Sequence, residues 1–180
     1  MLPRECLTAF CGPEAHSLQS MRGDGNEWVI SATGNRYWGR YGAAGLLLRA
    51  PTPDGTIAVL LQRRAIWSHH GGTWGLPGGA RDSHETPEQA ALREAFEETG
   101  VRPDQVAIAA SVVTAAPFGT HWTYTTVIAD AAELLAVVGC AESAELRWVG
   151  QHQVADLRLH PGLAESWQRL REMPELTVTN

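Results

Sequence analysis

Apolar residues in this chain come in short runs separated by turn signals, and their spacing predicts a mixture of strands and helices. Residues 43–49 (AAGLLLR) read as a buried strand, PTPDG at 51–55 as a turn, and residues 56–62 (TIAVLLQ) as the antiparallel return strand. A polar, glycine-rich loop follows from Arg63 to about Gly72. Residues 73–76 then read as a very short strand ended by Pro77-Gly78-Gly79. Further strands are expected at 106–114, 122–129 and 146–149, the first two joined by a loop holding Pro117, Phe118, Gly119 and His121. Trp28-Val29-Ile30 reads as a short strand, and residues 34–42 as a turn leading into one. Residues 163–171 pattern as an amphipathic helix that packs Leu163, Trp167 and Leu170. Residues 1–26 show no periodicity and are expected to be loop or partly disordered.

The clearest helix is predicted over Pro87–Thr99. Thr86 is a natural N-cap, and Pro87 stands at the first helical position, where its missing N–H costs nothing. Gln89 completes a capping box with Thr86, and Gly100 supplies the left-handed residue that ends the helix. On a helical wheel Ala91, Leu92, Ala95, Phe96 and Thr99 share one side, while Glu94, Glu97 and Glu98 share an adjoining arc.

The chain has 180 residues, 44% of them hydrophobic and 19% charged, which suits one α/β or α+β domain with a core of its own. Its formal net charge of −6 argues against a grip on nucleic acid polymers, which favour a basic surface. A small phosphate substrate stays open, because a bound metal ion reverses the local field. Cys6, Cys11 and Cys140 match no metal-binding spacing and read as reduced thiols. No apolar run reaches the roughly 20 residues of a membrane span, and no leader is visible, so a cytoplasmic protein without membrane partners is expected.

The glutamate arc carries the candidate chemistry. Three carboxylates at this spacing repel one another by a few tenths of a kcal/mol per pair, a penalty that a divalent cation removes. Oxygen ligands of this kind suit Mg²⁺ or Mn²⁺ rather than zinc. Taken alone, the arc also reads as a solvated acidic face with Arg93 as a partner for Glu97. Against that, Glu97 and Glu98 stand in the last turn, where the helix dipole disfavours negative charge, so stability alone does not explain them.

From Gly79 the chain runs GARDSHETPEQAALREAFEETGV to Val101. Gly79, Glu85, Arg93-Glu94, Glu97-Glu98, Gly100 and Val101 fall at the spacing of the Nudix signature, and the segment therefore resembles the Nudix (MutT-like) hydrolase family. Ala95 departs mildly, since the pattern prefers a larger aliphatic residue there. Trp74-Gly75-Leu76-Pro77-Gly78-Gly79 resembles the usual lead-in.

The resemblance implies an α/β fold, an α/β/α sandwich around a mixed central sheet, over residues 39–175, preceded by a partly irregular extension over 1–38. It implies a Mg²⁺-dependent hydrolase, with Mn²⁺ as a substitute, that cuts the diphosphate linkage of a nucleoside triphosphate or related nucleoside diphosphate derivative. Glu97 and Glu98 are the implied metal ligands, with the Gly79 carbonyl. Glu94 is implied as a further ligand or as the base, and Arg93 and Glu85 as the pair that holds the glutamates in place. A homodimer is a common assembly in such a family.

For substrate contact the candidates are Arg64 with Arg63, Trp74 and Phe118, and Glu142 with Glu145 as an extra ligand or base. Trp38, Trp67 and Trp122 are further stacking candidates. Each also has an ordinary reading as packing or solvated charge. His69, His70 and His121 fall in expected loops, and the carboxylates explain a metal without them. A sugar nucleotide such as ADP-ribose is the alternative substrate, and a non-catalytic ligand-sensing module the alternative role.

Overall fold

A computed structural model describes residues 23–139 and 143–173. The expected loop over the first 22 residues, and Cys6, Cys11 and Cys140, lie outside the described residues. The elements in chain order are β1 (Trp28–Ile30), β2 (Arg36–Trp38), β3 (Ala43–Pro51), β4 (Ile57–Arg64), β5 (Trp74–Gly75), β6 (Gly78–Ala80), α1 (Pro87–Thr99), a 3-10 turn (Pro103–Gln105), β7 (Ala107–Ala115), β8 (Tyr124–Asp130), β9 (Ser143–Gly150), a second 3-10 turn (Gln151–Asp156) and α2 (Pro161–Arg171).

Apart from the β1–β2 ribbon, the strands form one seven-stranded sheet in the order β5-β4-β3-β8-β7, with β6 beside β3 and β9 beside β4. It is mixed, because β3 and β8 run parallel from Ala43↔Tyr124 to Arg49↔Asp130 while the other pairs are antiparallel. Strand β3 is the hub. Its residues Arg49, Ala50 and Pro51 pair with β4, whereas Ala43, Ala44 and Gly45 pair with β6. Strand β4 therefore leaves β3 after three residues and runs on beside β9. The sheet forks there.

Alternation along the strands sends residues to two cores. Ala44, Leu46, Leu48, Leu60, Val127 and Ala129 pack under α1 with Ala90, Ala91 and Ala95. Leu47, Val59, Leu61 and Ile128 pack on the other face with Leu163, Trp167 and Leu170 of α2. A strand covered on both sides is apolar throughout, which is why β3 reads as a continuous run rather than an alternating one. The result is an α/β/α sandwich around a mixed sheet. No helix among the described residues is long and apolar enough to cross a membrane.

Four differences from the sequence expectation have clear causes. Gly78–Ala80 does not end a strand but forms β6, because its glycines tolerate an unusually close neighbour; a Cβ on Gly78 would lie 2.4 Å from the Ala44 carbonyl oxygen. Residues Arg36–Trp38 form β2, because the turn at Gly34 folds them back antiparallel onto Trp28–Ile30. On α1 the sheet-facing side holds Ala90, Ala91, Ala95, Glu98 and Thr99, while Phe96 is half-exposed. The helix is thus rotated to lay small residues on the sheet, and this turns one glutamate inward. Arg49, finally, is a buried cation in an apolar strand, forked onto Asp130 at 2.7 and 3.0 Å and donating to the Met173 carbonyl at 2.9 Å.

The β1–β2 ribbon is fastened to the sheet. Asp82 accepts the Gly25 N–H at 3.0 Å, Trp122 donates its indole N–H to the Trp38 carbonyl at 2.9 Å, and the Tyr37 and Trp122 rings stand 4.9 Å apart.

Leu60 is 1% exposed between the sheet and α1. Leu60→Ala is expected to cost about 2–5 kcal/mol through lost burial and a residual cavity. The measurement is urea unfolding, with the midpoint falling and the slope unchanged.

Candidate active site

The site is assembled around α1, whose ends are fixed locally. The Thr86 hydroxyl accepts the Gln89 N–H, and the Gln89 side chain accepts the Thr86 N–H. Gly100 closes the helix at φ 76°, donating to the Phe96 carbonyl. These caps set the axial position of Glu94, Glu97 and Glu98.

Glu98 points into the fork of the sheet and is 7% exposed. One carboxylate oxygen accepts the Gly78 N–H at 2.8 Å, and the other accepts the Gln62 side-chain amide at 3.2 Å. A buried carboxylate is costly unless it is hydrogen-bonded, and these donors come from opposite sides of the fork. Beside it lies Tyr124, whose phenol is pushed well above its usual range by burial and then by the charge of Glu98. The Tyr124 hydroxyl crosses Gly45 so closely that a Cβ there would lie 2.1 Å from it.

Arg93 ties the remaining acids together. Its guanidinium forks onto Glu85 at 2.6 and 2.8 Å, donates to Glu94 at 2.7 Å and to the Ala80 carbonyl at 3.0 Å, and stands 3.9 Å from Glu97. The bonds from Arg93 hold the Glu85 carboxyl below the usual carboxylate range, and Glu85 also accepts the Asp82 N–H at 3.0 Å. Arg93 itself is pushed up, chiefly by Glu85. A bidentate fork fixes orientation as well as position, so Glu94 is aimed by a side chain that Glu85 in turn holds.

Gly79 faces this constellation with no side chain. A Cβ there would lie 2.6 Å from the Glu94 carboxyl carbon and 2.7 Å from each of its oxygens. The carboxylate and the β6 backbone therefore share a cradle that any other residue would fill. Glu94 at this cradle, with Glu97 and Glu98 on the same helix, offers carboxylate oxygens, hard donors that can hold a divalent cation.

The structure brings Gly79, Glu85, Arg93, Glu94, Glu97 and Glu98 together. The other candidates have partners or positions of their own, although the charge of Arg64 still acts on Tyr124 beside Glu98. Arg64 ends β4 and donates Nε to the His69 carbonyl at 2.9 Å, and Arg63 faces Glu145 at 3.8 Å. Glu145 also pairs with Arg147. Trp74 is buried in the α2 core with Arg147 over its ring at 5.0 Å, so it presents no free face for a base. Trp122 is buried under the ribbon, Trp67 is exposed, and Phe118 projects fully into solvent. Glu142 lies outside the described residues. The sequence reading passed over Gln62, Tyr124 and the Ala80 carbonyl. Gln62 left a signal, a polar residue closing an apolar strand; the other two left none.

The NUDIX domain family model matches residues 40–170. A Mycobacterium tuberculosis (strain ATCC 25618 / H37Rv) protein provisionally named 8-oxo-dGTP diphosphatase 3 is 67% identical over 165 residues, covering 90% of this chain and 76% of that one. A Bifidobacterium longum nucleoside triphosphate pyrophosphatase/Nudix hydrolase fusion protein is 36% identical over 157 residues, covering 84% of this chain and 32% of that one. The crystal structure of a Nudix hydrolase from M. smegmatis, RenU, aligns with a TM-score of 0.80 at 64% identity, covering 86% of this chain and all but 1% of that one, whose coverage is 99%. An Ap4A hydrolase from C. elegans shares the fold alone, with a TM-score of 0.59 at 21% identity over 72% of this chain and 94% of that one. With the family model spanning the sheet, both helices and the acidic cradle, the chain belongs to the NUDIX family and is a Nudix hydrolase.

Proposed function

We propose that this enzyme hydrolyses a nucleoside triphosphate to the monophosphate and pyrophosphate, using Mg²⁺ or Mn²⁺, and that an oxidised purine nucleotide of the 8-oxo-dGTP type is its substrate. The observation that carries the reading is the Glu94 carboxylate lying in the space of an absent Gly79 side chain, beside a second carboxylate fixed by Gly78 and Gln62. The substrate class rests on the name of the M. tuberculosis relative.

In this reading Glu97, Glu98 and the Gly79 carbonyl would hold the cation, with Glu94 as a further ligand or as the base. When bound, a hard divalent ion supplies neutralisation of phosphate charge and activation of water for in-line attack on phosphorus. The chain's own residues do the positioning. Glu98 keeps its place because Gly78 and Gln62 donate to it. As the base, Glu94 would accept the proton of the attacking water, with Arg93 fixing its direction and Glu85 fixing Arg93. Gly79 keeps the cradle open to the phosphates. Residues 39–175 form the catalytic unit, with the ribbon of the 1–38 extension laid on it. A free nucleotide substrate implies a cytoplasmic setting, and the assembly in this reading is a homodimer.

Incubation with Mg²⁺ and a nucleotide panel is expected to release pyrophosphate and monophosphate, fastest from 8-oxo-dGTP. Preferential release of AMP and ribose phosphate from ADP-ribose would reject the triphosphate reading. Glu97→Gln is expected to lower kcat by at least about 10²-fold, the scale on which single electrostatic contributors act; thermal unfolding of the variant shows that the fold is retained. The Glu85–Arg93 pair gives a pH signature. A carboxyl held below its ordinary 4.5 stabilises the fold above that pH and loses the contribution as pH falls through the lowered value. Glu85→Gln is therefore expected to reduce stability at neutral pH and to flatten the acid limb of the urea midpoint plotted against pH.

A further inference from the structure

Away from the carboxylates, three imidazoles converge from distant parts of the chain. His69 and His70 lie in the loop after β4, and His160 is the N-cap of α2. Each offers a ring nitrogen within 4.8 Å of the other two. The ring centroids are 4.0 Å apart for His69 and His70, and 4.7 Å apart for His70 and His160. The loop that presents the first two rings is well tied. His70 adopts a left-handed φ of 57°, and its carbonyl accepts the Thr73 hydroxyl at 2.6 Å. The His69 carbonyl takes the Arg64 Nε–H, and the Gly72 N–H donates back to the Arg64 carbonyl at 2.9 Å.

We propose that His69, His70 and His160 form a second metal site, chemically distinct from the acidic cradle, for a borderline transition ion of the Zn²⁺ class. Imidazole nitrogen favours zinc, nickel and copper over magnesium, so the two sites sort ions by ligand hardness. Three histidines with the fourth position open to water or a phosphate oxygen make a complete zinc ligand set. With zinc–nitrogen distances of about 2.0–2.1 Å, tetrahedral ligands stand about 3.3 Å apart. Rotation of His69 and His70, both exposed, closes the remaining gap.

The surroundings are compatible. Arg64 is the neighbouring cation and opposes an ion, but its Nε is directed at the His69 carbonyl, and solvent around the exposed rings screens its charge. The His160 Nδ1 now accepts the Gly162 N–H at 3.2 Å. A metal on that nitrogen displaces the cap bond, and a metal on Nε2 moves the ring proton onto Nδ1, so the Gly162 amide senses occupancy either way.

The test uses the full chain, stripped with a chelator and held in excess Mg²⁺, titrated with Zn²⁺ by calorimetry. The expected result is one Zn²⁺ per chain that Mg²⁺ does not displace, with the Gly162 amide shifting in the NMR spectrum. The His69→Ala/His70→Ala double variant, and His160→Asn, which preserves a capping acceptor, should each weaken Zn²⁺ binding by more than the roughly 10–100-fold that loss of an outer-shell partner costs. Glu97→Gln should leave it unchanged. Zn²⁺ affinity unaltered in the histidine variants, binding abolished by Glu97→Gln, or no Zn²⁺ bound by the intact chain would each overturn the proposal. None of these readouts requires hydrolysis, so failure here is separate from failure of the proposed nucleotide activity.

Discussion

Glu98 brings a carboxylate into the fork where β4 departs from β3, and it receives one hydrogen bond from each side, from Gly78 on β6 and from Gln62 on β4. Much of the architecture is arranged around that burial. If β4 stayed beside β3 there would be no gap to receive the carboxylate, and if β6 did not take the vacated edge the Gly78 N–H would not face it. Small residues at Ala90, Ala91 and Ala95 bring α1 close enough to the sheet for a glutamate to reach in. A buried carboxylate lacking either donor would carry a desolvation cost of several kcal/mol, so the fork and the acid are mutually required.

The acids of α1 also conflict with the helix that bears them. Glu97 and Glu98 occupy the last turn, where no basic residue offsets the dipole. The compensation is tertiary. Arg93 gathers Glu85 and Glu94 and approaches Glu97, while the fork receives Glu98. Local stability is given up where an acidic cluster is needed, and contacts from elsewhere in the fold restore it. Gly79 adds the complementary economy, since the absence of one side chain gives a carboxylate room beside a backbone.

The aromatic candidates show where one-dimensional reasoning loses discrimination. Trp74, Trp122 and Phe118 look alike as possible stacking surfaces, yet the first two are buried and the third projects into solvent. Nothing within a few residues of each separates these outcomes, because burial is decided by partners far along the chain: Leu163 and Trp167 for Trp74, Trp38 for Trp122. Phe96 shares a side of the wheel with Ala91 and Ala95 yet is half-exposed, for a related reason. A wheel gives relative angles around a helix, but which angle faces the sheet depends on what the sheet can accept.

Read alone, the sequence determined what local physics can set: the bounds of α1 through its capping box and Gly100, the apolar strands around it, and the spacing of Glu85, Arg93, Glu94, Glu97 and Glu98 that marks the family. Those features depend on contacts within one or two helical turns or one strand, so they are written in adjacent residues. The tertiary structure alone decided the fork in the sheet, the rotation of α1, the pairing of Glu98 with Gln62 and Gly78, and the meeting of His69 and His70 with His160. These join residues that are remote in the chain, and such pairings follow from how sheet and helices bury their shared surfaces rather than from any local pattern.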